Sequence, residues 1–146
     1  SPRRHVAGLD PRRFHLVAAV TDRAIGLRLL QSELYGAVAG GMRVDDPGAD
    51  LAVAAALASS TVGAPVPTGR AFVGEVSLTG VVRPVPGIDQ RVLAAASAGV
   101  EVVVCPAGHT VSQVAVGGPR LAPVRHVREA LAWAVRRDSA PAGARK

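Results

Sequence analysis

The stretch GEVSLTGVVRPVPGIDQRVLAAASAG, Gly74–Gly99, changes its period halfway along. Its first half alternates as a strand does, turns at Thr79-Gly80 and returns through Val81-Val82 to Arg83-Pro84. Its second half predicts an alanine-rich helix over Ile88–Ala98, stopped by Gly99. Working outward, Arg70–Leu78 predicts the strand that feeds this turn, and EVVV at Glu101–Val104 a short central strand ended by Pro106. Upstream, ADLAVAAALASS at Ala49–Ser60 predicts a helix buried on more than one side, started by Asp46-Pro47. Asp10-Pro11 is a second helix start, after which Phe14, Val17, Ala18, Thr21, Ala24 and Ile25 recur at helical spacing until Gly26.

Between these helices Glu33–Val38 predicts a strand, followed by Ala39-Gly40-Gly41 and an extended Met42–Val44. His109–Gly118 reads as irregular or a short helix, Leu121–Val124 as a last strand and Val127–Arg137 as a closing helix. Two βαβ-like passages give an α/β domain of two layers over residues 9–138. Residues 1–8 read as a linker and 139–146 as a disordered tail.

With 146 residues and 49% apolar composition, the chain is long enough for one domain with a sizeable core. Four aromatics (Phe14, Tyr35, Phe72 and Trp133) leave that core aliphatic and are expected to be claimed by it. A stacking platform for nucleic-acid bases is therefore not expected. The single cysteine, Cys105, excludes an internal disulfide and a cysteine-built zinc site; it reads as a buried thiol at a strand end. Apolar runs fall far short of the roughly 20 residues that cross a bilayer, and no signal-peptide pattern opens the chain, so a cytoplasmic protein with no membrane partner is expected.

The net charge of +6 invites a polyanion partner. Setting aside Arg3, Arg4, Arg145 and Lys146 as tail residues, however, leaves thirteen basic against eleven acidic residues. Any anion site must then be a local patch. Candidate nucleophiles Ser59, Ser60, Ser77, Ser97 and Ser112 qualify by type only, and His15, His109 and His126 have no readable partner spacing. Asp45, Asp46 and Asp50 resemble a carboxylate cluster, but Asp46 serves as a helix cap and Asp50 suits the positive helix end.

Several segments, in order and spacing, resemble one family. They are GLDPRRFHLVAAV, VAGGMRVDDPGADLAVAAALASS, GEVSLTGVVRPVPGIDQRVLAAA and EVVVCPAG, covering nearly the whole domain. They are similar to the C-terminal Lon-protease-like domain of the bacterial RadA (Sms) family, which in turn resembles the proteolytic domain of Lon protease. Lon proteases use a Ser–Lys dyad in which a partly neutral lysine takes the serine proton. The resemblance puts Gly48 at the serine position, within Asp46-Pro47-Gly48-Ala49-Asp50, and Asp89 at the lysine position, within Pro86-Gly87-Ile88-Asp89. Neither residue can do that chemistry, and the only lysine is Lys146. The resemblance thus implies a protease scaffold without a catalytic residue.

The same resemblance implies a fragment of a larger DNA repair and recombination protein, a hexameric, ATP-driven branch-migration motor with helicase activity. ATP, Mg and Zn sites would lie in its other domains, and no GxxxxGK[ST] phosphate loop occurs here. Its expected partners are DNA, single-stranded or branched, further copies of itself and a recombinase, and its expected place is the bacterial nucleoid. The motif positions imply DNA contact through Arg43 and Arg83, then Arg12, Arg13 and Arg91, with Arg91 alternatively pairing with Asp89 or Asp46. A purely structural oligomerisation module and a peptidase with an unrecognised nucleophile are the rival readings.

Overall fold

The computed structural model describes residues 2–109 and 117–135, so most of the segment after His109 and the tail at 139–146 lie outside the described residues. Helix α1, Pro11–Ile25, begins as its sequence dictates: the Asp10 carboxylate accepts the Arg12 backbone N–H at 2.9 Å, and Pro11 takes the first position. It ends at Gly26 in the left-handed region, φ +65°. Phe14, Val17, Ala18 and Thr21 form its buried face, as the spacing predicts. Helices α2 (Asp50–Val62), α3 (Ile88–Ser97) and α4 (Val127–Ala134) follow the predicted positions, the last as far as it is described.

The class is α/β. Strand β6 (Val102–Pro106) lies between β3 (Arg70–Phe72) and β7 (Arg120–Val124), parallel to both, with Arg70, Val102 and Arg120 on one rung. Strands β4 (Glu75–Val76) and β5 (Val82–Arg83) form an antiparallel hairpin. The main core lies between this framework and α1, α2 and α4, where Val17, Leu51, Ala54, Val104, Val124 and Leu131 meet. Alternate residues of β6, Val103 and Cys105, face the other way onto Val92 and Ile88 of α3. Burial there pushes the Cys105 thiol up from its ordinary value.

Three expectations are corrected. Arg4–Ala7, within the expected linker, is strand β1, paired in parallel with β2 (Leu34–Ala37). Its sequence alternation is too short to register, and its place is set by the partner strand and by the Arg4 guanidinium donating to the Leu30 carbonyl at 2.7 Å. Second, the strand expected over Arg70–Leu78 breaks after Phe72. Gly74 turns its backbone to the start of α2 instead, donating to the Gly48 carbonyl and accepting from Leu51 N–H; a Cβ there would sit 2.7 Å from Val82 Cγ1. Third, the core takes Phe14 fully and Phe72 and Trp133 in part, but leaves Tyr35 66% exposed.

One carboxylate ties these parts together. Asp50, at the start of α2 and only 2% exposed, accepts Arg13 Nε at 2.9 Å and Nη2 at 2.5 Å from α1, and the Val76 N–H at 3.0 Å from β4. Glu75 adds a further acceptor to Arg13 at 3.2 Å. Burial pushes the Asp50 carboxyl up, against the pull of the Arg13 fork and the Val76 N–H. Five donor and acceptor atoms matched in this way describe an ionised pair at neutral pH. Removing one partner of such a pair strands the other. Asp50→Ala is expected to lower the unfolding free energy by about 3 kcal/mol. In urea denaturation the Asp50→Ala, Arg13→Met double variant should lose less than the sum of the single losses.

Candidate nucleic-acid interface

The segment Asp46-Pro47-Gly48-Ala49-Asp50 forms a 3₁₀ turn, Pro47–Ala49, that runs into α2. The Asp46 carboxylate caps it, with Oδ1 accepting the Gly48 N–H at 2.9 Å. Gly48 is buried and carries no side chain for a definite reason: a Cβ would lie 2.7 Å from Arg91 Nη1 and 3.0 Å from both Arg91 Cζ and Asp46 Oδ1. Arg91 projects from the first turns of α3 and grips Asp46 with both terminal nitrogens, Nη1 to Oδ2 at 2.5 Å and Nη2 to Oδ1 at 3.0 Å. Its Nε donates to the Pro86 carbonyl at 3.0 Å. A guanidinium thus occupies the space a nucleophile at position 48 would need, and straps the Pro86 loop to the start of α2. Asp89, two residues before Arg91 in the first turn of α3, is half-buried.

The expected DNA-contacting arginines separate into two groups. Arg13, expected as a DNA contact, and Arg91, expected either as a DNA contact or as a partner of Asp89 or Asp46, are both engaged by carboxylates, Asp50 with Glu75 for the first and Asp46 for the second. Of the two partners open to Arg91, Asp46 is the one it takes by ion pair. Arg43 follows the Ala39–Gly41 turn, is 75% exposed, and holds Asp45 through Nε at 2.9 Å. Arg83, at the exposed end of β5, and Arg12, in the first turn of α1, make no side-chain hydrogen bond or ion pair among the described residues. The three carboxylates of the suspected cluster each take a different arginine: Asp45 takes Arg43, Asp46 takes Arg91 and Asp50 takes Arg13.

Two clefts flank this arrangement and share Arg13. One, about 270 Å³, runs between α1 and the Asp45–Asp50 segment and is edged by Asp10, Asp45, Asp46 and Asp50. The other, about 260 Å³, lies between α1 and the β4–β5 hairpin, with Arg83, Ser77 and Thr79 on its wall. The corner around Gly48 is therefore a neutralised, carboxylate-rich place, and on the hairpin side Arg83 is one of the exposed arginines that have no ion pair among the described residues. Two further exposed arginines there were missed, Arg125 and Arg128, on either side of His126 before and within α4. The bridge that pairs Val81 with His126 brings them beside the hairpin, and only the doubled arginine of VRHVRE hinted at it.

The Asp46–Arg91 strap has a pH signature. Hydrogen bonding to Arg91 holds the Asp46 carboxyl below its ordinary range. Its contribution is then fully present above about pH 4, the unfolded value, and is lost as pH falls through the lower folded value. Asp46→Asn keeps an acceptor for the Gly48 N–H but not the ion pair. Being partly exposed, the pair should contribute roughly 1 kcal/mol at pH 7. Urea unfolding at stepped pH should show the gap between Asp46→Asn and the parent chain closing below about pH 4.

Comparison with known proteins matches residues 36–131 to the Lon protease (S16) C-terminal proteolytic domain. The chain is 39% identical to DNA repair protein RadA of Bacillus subtilis over 131 residues, 90% of this chain and 29% of that protein. It is 40% identical to DNA repair protein RadA of Rickettsia felis over 105 residues, 72% of this chain and 24% of that one. With DNA repair protein RadA of Mycobacterium tuberculosis the identity is 41% over 106 residues, 73% of this chain and 22% of that protein. The chain thus spans about a quarter of the length of the curated relatives it matches. By this match, and by the dyad segments traced above, the chain belongs to the Lon protease (S16) C-terminal proteolytic domain family, in the Lon-like form that RadA proteins carry.

Proposed function

We propose that this Lon-like domain cuts no peptide bond and serves a DNA repair protein as a module for sequence-independent DNA contact and subunit assembly. The observation that carries the reading is the division of its arginines. Those beside Gly48 neutralise carboxylates, whereas Arg83 and its neighbours on the hairpin side have no ion pair among the described residues. Unpaired guanidiniums on a rigid framework suit phosphate oxygens, and contacts of that kind position a protein on DNA without reading bases. Arg43 is a second contact, able to exchange its exposed Asp45 partner for phosphate, because an ion pair so exposed is weak. A few such charges bind DNA weakly in one domain. Repeated around a hexameric ring in the parent motor, they act together through effective concentration.

Assembly has surface of its own: Tyr35 and Met42, each 66% exposed, flank the Ala39–Gly41 turn. ATP, Mg and Zn would be held by other domains of the parent. Among the described residues no helix is long and apolar enough to cross a membrane.

Binding of a short duplex across a salt series tests the reading. Arg83→Glu is expected to lower affinity about tenfold at low salt and to flatten the slope of log K against log salt by about one. Arg43→Glu should act in the same direction. Arg91→Met should leave the slope unchanged, because its fork is held by Asp46. Equal slopes in all of the variants would remove the arginines from the interface. Stoichiometric labelling of one serine by a fluorophosphonate would favour the peptidase reading instead.

A further inference from the structure

The β4–β5 hairpin ends in an apolar tip that is unusually well immobilised. Across its turn Ser77 N–H donates to the Val81 carbonyl at 3.0 Å, Gly80 N–H to the Ser77 carbonyl at 2.9 Å, and Val81 N–H to Ser77 Oγ at 3.1 Å. Ser77 and Thr79 hydroxyls share a further hydrogen bond at 3.0 Å. The base is bolted to the segment ahead of α4: Val82 N–H donates to the Arg125 carbonyl and Val127 N–H to the Gly80 carbonyl. His126 completes the anchor. Its Nδ1 accepts the Arg128 N–H at 3.1 Å, which leaves the proton on Nε2, 3.2 Å from the Thr79 carbonyl. Gly80 is irreplaceable in this packing, since at φ +86° a Cβ would stand 2.5 Å from His126 Nε2.

On this rigid turn Leu78 is 72% exposed and Val81 47% exposed. An exposed leucine on a flexible loop is ordinary, but here the turn cannot fold it away. Arg83 belongs to the hairpin, and Arg125 and Arg128 to the segment hydrogen-bonded to it, all exposed and all without an ion pair among the described residues. Of the nearby carboxylates, Glu75 is held by Arg13 and Glu129 stands exposed in the first turn of α4. An exposed apolar tip on a framework that also carries three guanidiniums without ion pairs among the described residues matches a polyanion that also offers flat apolar faces. Nucleic-acid bases between phosphates are that chemistry, and leucine is among the side chains that wedge into base steps.

We propose that the hairpin is a wedge: Leu78 seats against an unstacked base step at a junction between duplex and single strand, while Arg83, Arg125 and Arg128 hold the flanking phosphates. This rests on the DNA-contact reading above and adds the structure preferred and the residue that selects it. Junctions suit it because their end steps are already partly unstacked, so inserting a side chain costs least there.

The test uses this chain with a forked duplex carrying 2-aminopurine at the junction, and an intact duplex of the same length, both at about 50 mM salt. The chain should bind the fork more tightly than the intact duplex and raise the 2-aminopurine signal. Leu78→Ser should abolish the rise and the preference while keeping affinity for the intact duplex within about twofold. Leu78→Phe should retain both. Leu78 contributes nothing to the core, so circular dichroism melting should be unchanged in either variant. A signal that persists in Leu78→Ser, with intact-duplex binding preserved, overturns the wedge and leaves the DNA reading standing. A Leu78→Ser change in sedimentation with the signal unaltered also overturns it, by assigning the tip to a second copy of the chain. Failure of the parent chain to bind either DNA overturns the DNA reading itself.

Discussion

The buried carboxylate of Asp50 is the constraint on which the arrangement of this domain depends. A charge so enclosed must be met by donors, and it is met by two separate parts of the chain: the α1 guanidinium and the β4 backbone. That requirement brings α1 against α2 at a set depth and places the hairpin beside both. It also accounts for the local geometry next door. Gly74 abandons the sheet to hydrogen-bond with Gly48 and Leu51, which turns the chain toward the Asp50 pocket one residue before β4 begins.

With that framework in place, the corner between the Pro47–Ala49 turn and the start of α3 is an ordinary structural junction. Position 48 offers no Cβ, position 89 offers a carboxylate, and the guanidinium of Arg91 closes over both loops. The exchange is self-consistent: a cation needs an anion, Asp46 supplies it, and glycine makes the room. A residue larger than glycine at 48 would have to evict Arg91 before it could do anything else.

Local signals were readable in the sequence wherever the physics is local. Asp10, Pro11 and Gly26 bound α1 because caps and backbone preferences act within a few residues. The family was readable too, because it depends on residue identity within known segments. What escaped was decided across the chain. Strand β1 exists because β2 pairs with it, the break at Gly74 because Gly48 approaches it, and the capture of Arg13 because Asp50 is buried rather than a solvated helix-end charge. Arg125 and Arg128 were missed for the same reason: only the Val81–His126 bridge makes them neighbours of the hairpin. Tyr35 escaped because the alternation of β2 does not reveal which of its faces α1 covers.

The lone sulfur on β6 has a use that follows from where it sits. Enclosed between the sheet and α3, with its ionised form disfavoured, Cys105 offers almost no thiolate to an alkylating reagent while the fold is closed. Reaction at that atom therefore counts excursions in which α3 lifts away, a clock for breathing of the rear helix built into the native chain. A second, surface cysteine introduced elsewhere could carry a dye without first erasing the natural one.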